Sequence, residues 1–194
     1  MLKSESTSYA QSPIEHYLHQ LHSRHNSLSD GTVADYIPEL AKADAKWFGI
    51  SIATRDGHVY EVGDTRQSFT IQSISKAIAY GLALEDRGEE HILSRISVEP
   101  SGDAFNAISL KPGSGSPFHP MINAGAIATC GQVLRRDGQS RIERILAYLS
   151  ACAGRRLDID QAVYQSESAT GHRNRAIGWM LRNFGIIDEE PTDI

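Results

Sequence analysis

Apolar residues recur along this chain of 194 residues with two distinct periods. Ser12-Pro13-Ile14-Glu15 opens the first helical stretch. A serine cap, a proline at the first helical position and a glutamate at the third together satisfy the amides that a helix start leaves open. Ile14, Tyr17, Leu18, Leu21 and Leu28 then fall on one face. Residues 1–11 are polar, and the pattern predicts a loose segment there. The period then shortens. Trp47-Phe48-Gly49-Ile50-Ser51-Ile52-Ala53-Thr54 and His58-Val59-Tyr60-Glu61-Val62 flank Arg55-Asp56-Gly57, and an Asp-Gly between two β-rich runs predicts a hairpin.

Beyond the hairpin the helical period returns. The run from Ile74 to Leu84 predicts a buried helix ending near Gly88. The section from Glu99 to Pro117 is rich in turn residues, but Phe105, Ile108 and Leu110 within it predict an ordered, packed loop. Pro120 to Ala128 opens a helix whose small residues permit close backbone contact, and Ser140-Arg141-Ile142-Glu143 is a second capping box. The helix it starts runs to Gly154 with Ile142, Ile145, Leu146 and Leu149 as its stripe. A last helix, from about Asn174, uses Ile177, Met180, Leu181 and Phe184 and stops at Gly185. The order is helix, two strands, several helices: an α+β class. A lone hairpin is marginal in water and leaves both edges open, so the pattern reads as the front of an α+β domain whose remaining strands are missing from this chain.

Composition narrows the functions. One domain over 1–194 is expected, with 1–64 as N-terminal helix and hairpin and 65–194 as a mainly helical part. The net charge of −5 argues against nucleic acid or an acidic membrane surface as partner. The N-terminal residues lack the apolar core of a signal peptide, and no stretch is long and apolar enough to span a bilayer. Cys130 and Cys152 both lie in apolar helical patterns and read as two buried, reduced thiols; a cytoplasmic location is expected. His16, His19, His22 and His25 recur every three residues. Each such step turns about 300°, so the four spread over half the helix and cannot converge on one ion. A solvated face is the better account, and no metal is expected.

The chemistry concentrates in Phe69-Thr70-Ile71-Gln72-Ser73-Ile74-Ser75-Lys76. A serine hydroxyl is a poor nucleophile until a base takes its proton, and a lysine three residues on lies on the same helix face. Ser73 would sit at a helix N-terminus, where free amides favour developing negative charge. A Ser-x-x-Lys alone arises about once by chance in a chain of this size, most often on a surface helix.

Other stretches change that weight. Gly31-Thr32-Val33-Ala34-Asp35-Tyr36-Ile37-Pro38-Glu39-Leu40 and the Ser73 block resemble signatures of the serine-dependent glutaminases. So do Val98-Glu99-Pro100-Ser101-Gly102, the stretch His119 to Ile127, and Ser166-Glu167 with Gly171 to Ile177. The blocks stand in the family's order over residues 13 to 187. The resemblance implies the β-lactamase and penicillin-binding-protein architecture, an antiparallel sheet beside a helical subdomain, in which further C-terminal strands join the hairpin. It implies Ser73 as nucleophile, Lys76 as its proton acceptor, Tyr36 beside the nucleophile, and Gln72, Asn123, Glu167 and Asn174 around the substrate. That substrate would be L-glutamine, hydrolysed to L-glutamate and ammonia through a seryl acyl-enzyme, with no cofactor and with homo-oligomers as the usual form.

Each residue also has a plainer reading. Asn123 and Asn174 could cap helices, Glu167 could be a first-turn carboxylate, and Tyr36 could simply pack. The family's two later tyrosines and its Lys-Ser-Gly strand have no match here, and His119 stands where the family usually has asparagine. These 194 residues alone are therefore expected not to turn over glutamine. Two alternatives remain open: a related serine acyl-transfer hydrolase, and a non-catalytic interaction protein pairing its open sheet edge.

Overall fold

The structure, a computed structural model, describes residues 12–193; the segment 1–11 expected to be loose lies outside the described residues. The chain divides into two compact units, Met1–Phe69 and Thr70–Ile194.

The first unit holds α1 (Pro13–His25), β1 (Gly49–Ala53) and β2 (Val59–Gly63). The capping box forms as its residues predict: Glu15 N donates to Ser12 Oγ at 3.2 Å and Ser12 N to Glu15 Oε2 at 2.8 Å. β1 and β2 pair antiparallel with Ile50 opposite Val62 and Ile52 opposite Tyr60, which puts these four on one face. α1 packs on the hairpin and buries Leu18. Of the four helix histidines, His22 departs from a solvated face. Its ring stacks on Phe48 with centroids 4.9 Å apart, and its Nε2 lies 3.2 Å from the Phe48 carbonyl. Gly63, at φ +76°, is where a Cβ would collide with that ring and that carbonyl, so β2 can end here only on glycine. Among the described residues the sheet has these two strands.

The second unit is helical: α2 (Ser75–Arg87), α3 (Glu89–Arg95), α4 (Asn123–Gln132), α5 (Arg141–Ala153), α6 (Gln161–Thr170) and α7 (His172–Asn183). α4 lies centrally, against α2 on one side and α7 on the other. One core joins Ile96, Ile122, Ala124, Ala128, Ile177, Leu181, Ile186 and Ile187; a second joins Leu82, Ala83, Ile92 and Val133. The small residues of α4 serve as predicted, since a Cβ on Gly125 would run into the His119 carbonyl.

Polar pins tie the layers. Asp86 of α2, its side chain 2% exposed, accepts from Arg144 Nη1 at 2.6 Å, Arg144 Nη2 at 2.9 Å and Leu134 N at 2.9 Å. Buried Gln132 donates to the Ile186 carbonyl at 2.8 Å, and buried Arg141 donates to Glu189 at 3.0 Å. These hold the segment after α7 against α4 and α5.

Several sequence expectations are corrected. Two helices lie where the pattern predicted none: α3, only seven residues behind Gly88, and α6, which buries none of its side chains, so neither shows an apolar stripe. Ile142 is 52% exposed rather than in the α5 stripe, because α5 turns Ile145, Leu149 and Arg141 inward instead. Cys152 is exposed and Cys130 only half-buried. α4 starts at Asn123, three residues after Pro120: Pro120 and Met121 form a turn, and Ile122, in extended backbone, is the N-cap.

Candidate active site

Ser73 does not sit in the first turn of an α-helix. It lies in a 3-10 turn, Gln72–Ile74, that leads directly into α2. The turn carries local strain, for Gln72 has φ +44°, a region that side-chain-bearing residues seldom occupy. Its Nε2 donates to Thr70 Oγ1 at 3.2 Å, and Ser75 Oγ donates to the Gln72 carbonyl at 2.7 Å, so side chains on both sides brace it. Ser73 itself is exposed.

Lys76, in the first turn of α2, reaches across to the start of α4. Its Nζ donates to the Met121 carbonyl at 3.1 Å and to Asn123 Oδ1 at 2.8 Å. Among the described residues no hydrogen bond joins it to Ser73. The Phe105 ring lies 5.7 Å from the ammonium, within cation–π range. Burial disfavours the charged form and pulls the Lys76 pKa below its ordinary value. That shift favours a lysine that can act as a base.

From Asn123 the polar row continues. Asn123 is the first residue of α4; its backbone amide donates to the Phe105 carbonyl at 2.8 Å, and Asn123 Nδ2 donates to Asn174 Oδ1 at 3.2 Å. Asn174 is the third residue of α7 and not its cap. Glu167 lies in the second half of α6 rather than in a first turn. The α6–α7 turn brings it beside Asn174, and both line a cavity of about 230 Å³ with Tyr164, Ser168, Gly171 and Arg175. Arg175 Nη1 donates to the Ser168 carbonyl at 2.8 Å, which clamps that turn. Tyr36 belongs to the first unit, where it is exposed.

The second unit thus brings Lys76, Asn123 and Asn174 into one hydrogen-bonded row, and Glu167 lines the cavity beside its Asn174 end. The sequence profile of one family, Glutaminase, matches residues 31–194. The chain belongs to the glutaminase family.

A glutaminase of Microcystis aeruginosa is 47% identical over 185 residues, an alignment covering 94% of this chain and 55% of that protein. The crystal structure of Mglu in its native form superposes with a TM-score of 0.86 at 38% identity, over 95% of this chain and 45% of that one. A probable glutaminase from Bacillus subtilis, complexed with 6-diazo-5-oxo-L-norleucine, gives 0.80 at 29% identity over 98% and 58%. The α+β fold is therefore that of the glutaminase structures. The chain spans about half the length of the curated relatives it matches.

Sequence reasoning missed three participants: Phe105, read only as a loop anchor, the Met121 carbonyl, and Arg175. A backbone carbonyl leaves no mark in a residue pattern. Phe105 is separated from Lys76 by 29 positions, which no periodicity connects.

Proposed function

We propose that these residues build the nucleophile side of a glutamine amidohydrolase, which converts L-glutamine to L-glutamate and ammonia. The supporting observation is the row Lys76–Asn123–Asn174 beside Glu167, in a chain of the glutaminase family. Neutral Lys76 has two N–H groups, and the Met121 carbonyl and Asn123 Oδ1 take both. Its lone pair is then left to accept the Ser73 proton. The Ser73 oxygen attacks the side-chain amide carbon, and amides of the Gln72–Ile74 turn are the candidates to hold the oxyanion. The Lys76 ammonium returns its proton to the leaving nitrogen, ammonia departs, and water hydrolyses the glutamyl ester. Glu167 would pair the substrate ammonium, while Asn123 and Asn174 offer amide hydrogens to its carboxylate. Gln72 and Tyr36 are assigned to the nucleophile's surroundings on the block matches that carry them. No metal or organic cofactor enters this chemistry.

The test is covalent labelling with 6-diazo-5-oxo-L-norleucine, the compound bound by the Bacillus subtilis relative. The expected result is an adduct on Ser73, slowed by L-glutamine and absent in Ser73→Ala. An adduct that survives this substitution would place the nucleophile elsewhere. Ammonia release from glutamine by these 194 residues is expected to stay at the Ser73→Ala background; turnover that Ser73→Ala abolishes would show the site to be complete within them.

A second reading has the hairpin behind it. β1 and β2 are a two-stranded sheet among the described residues, so backbone edges are available for strand addition by a second copy or a longer glutaminase. A monomeric mass on size-exclusion chromatography with light scattering would remove it. We assign a cytoplasmic location on composition; among the described residues no helix is long and apolar enough to cross a membrane.

A further inference from the structure

The loop between α3 and α4 holds an apolar ring half in water. Phe105 is 50% exposed, and burial of apolar surface therefore accounts for only part of its placement. The loop is nonetheless fixed on every side. Ser109 Oγ donates to Asp103 at 2.6 Å, Ala107 N to the Ala104 carbonyl at 2.9 Å, and Arg173 of α7 to the Asn106 carbonyl at 3.3 Å. The Phe105 carbonyl accepts from Asn123 N at 2.8 Å. One residue therefore touches both members of the Lys76–Asn123 pair. Its backbone fixes the start of α4, and its ring stands 5.7 Å from Nζ.

We propose that Phe105 is a positioning residue for Lys76: its ring lies within cation–π range of the ammonium that the Met121 carbonyl and Asn123 hold. The inference rests on the role assigned to Lys76 above. In that role the lysine gains a charge when it takes the serine proton. An aromatic face attracts the charged form and not the neutral amine, so the ring stabilises the state reached by proton transfer. It also narrows the positions open to a long, flexible side chain. An aliphatic residue of similar size would fill the space without either effect.

The test is the exchange rate of the Lys76 ammonium hydrogens with water, read by 15N NMR on the selectively lysine-labelled chain. Five lysines are present, and the Lys76→Arg spectrum assigns the signal. The expected result is slow exchange in the wild type. Phe105→Leu should raise the rate about threefold, the scale an exposed cation–π contact supports, while Phe105→Tyr keeps the wild-type rate. If Phe105→Leu behaves as wild type, the ring is only packing and the proposal fails. It fails equally if Tyr and Leu accelerate exchange alike. Leucine preserves apolar volume, so unchanged circular dichroism separates this readout from unfolding. The measurement needs no substrate. A chain that shows this pattern but resists labelling at Ser73 refutes the glutamine reading and leaves Phe105 in place; the converse refutes this proposal alone.

Discussion

Lys76 is a residue whose chemistry the fold alters. Its burial lowers the pKa, so the neutral amine forms at a lower pH than in a free lysine, whose value is about 10.4. Competitive acylation of the lysines across a pH series should therefore give Lys76 a midpoint below that value. A midpoint at or above it would mean that burial does not govern the site. The blocks around Ser73 and Lys76 made both legible in the sequence, because nucleophile and base are adjacent on the chain. The strain at Gln72 was not legible, since nothing about glutamine foretells φ +44°. Nor was the Lys76–Asn123 bond, which closes over 47 positions.

Between elements, one contact ties α2 to α5 and another lets α4 approach the loop before it. Burial would raise the Asp86 pKa, but the Arg144 hydrogen bonds, the Leu134 amide and the charges of Arg144 and Arg136 outweigh it and hold the carboxyl below the usual range. Its contribution to stability is thus complete above the unfolded value of about 3.9 and is lost as pH falls through the lower folded value. Asp86→Asn should cost about 3 kcal/mol at neutral pH, by leaving Arg144 without its charge partner. It should also remove this acid-side fall, and urea unfolding from pH 7 to pH 2 measures both. Gly125→Ala should cost about 1–3 kcal/mol, since its methyl group meets the His119 carbonyl. Because α4 carries Asn123, the same substitution should disturb the Lys76 ammonium signal. Helices announced by capping boxes or apolar stripes were readable; α3 and α6 were not, for one is too short and the other buries no side chain.

For the whole chain, the two units differ in what they can bury. The second has two apolar cores and pins that cross between helices, whereas the hairpin has two strands and one helix against it. Native-state hydrogen exchange should show the amides of α4 and α7 as the slowest and those of β1 and β2 as markedly faster. Equal protection would mean that the hairpin gains support beyond α1. The sequence pattern indicated this imbalance, because strand-like runs end at residue 62 while helical ones continue.

The row of amides has a further consequence. Lys76 donates to Asn123, so Asn123 turns its oxygen to Lys76 and its nitrogen to Asn174. Asn174 in turn presents oxygen to Asn123 and lines the cavity. The row has a sense of direction, set by the donor at its Lys76 end. Through two neutral side chains, the donor at Lys76 sets which end of each amide faces the next, as far as the cavity that Asn174 shares with Glu167.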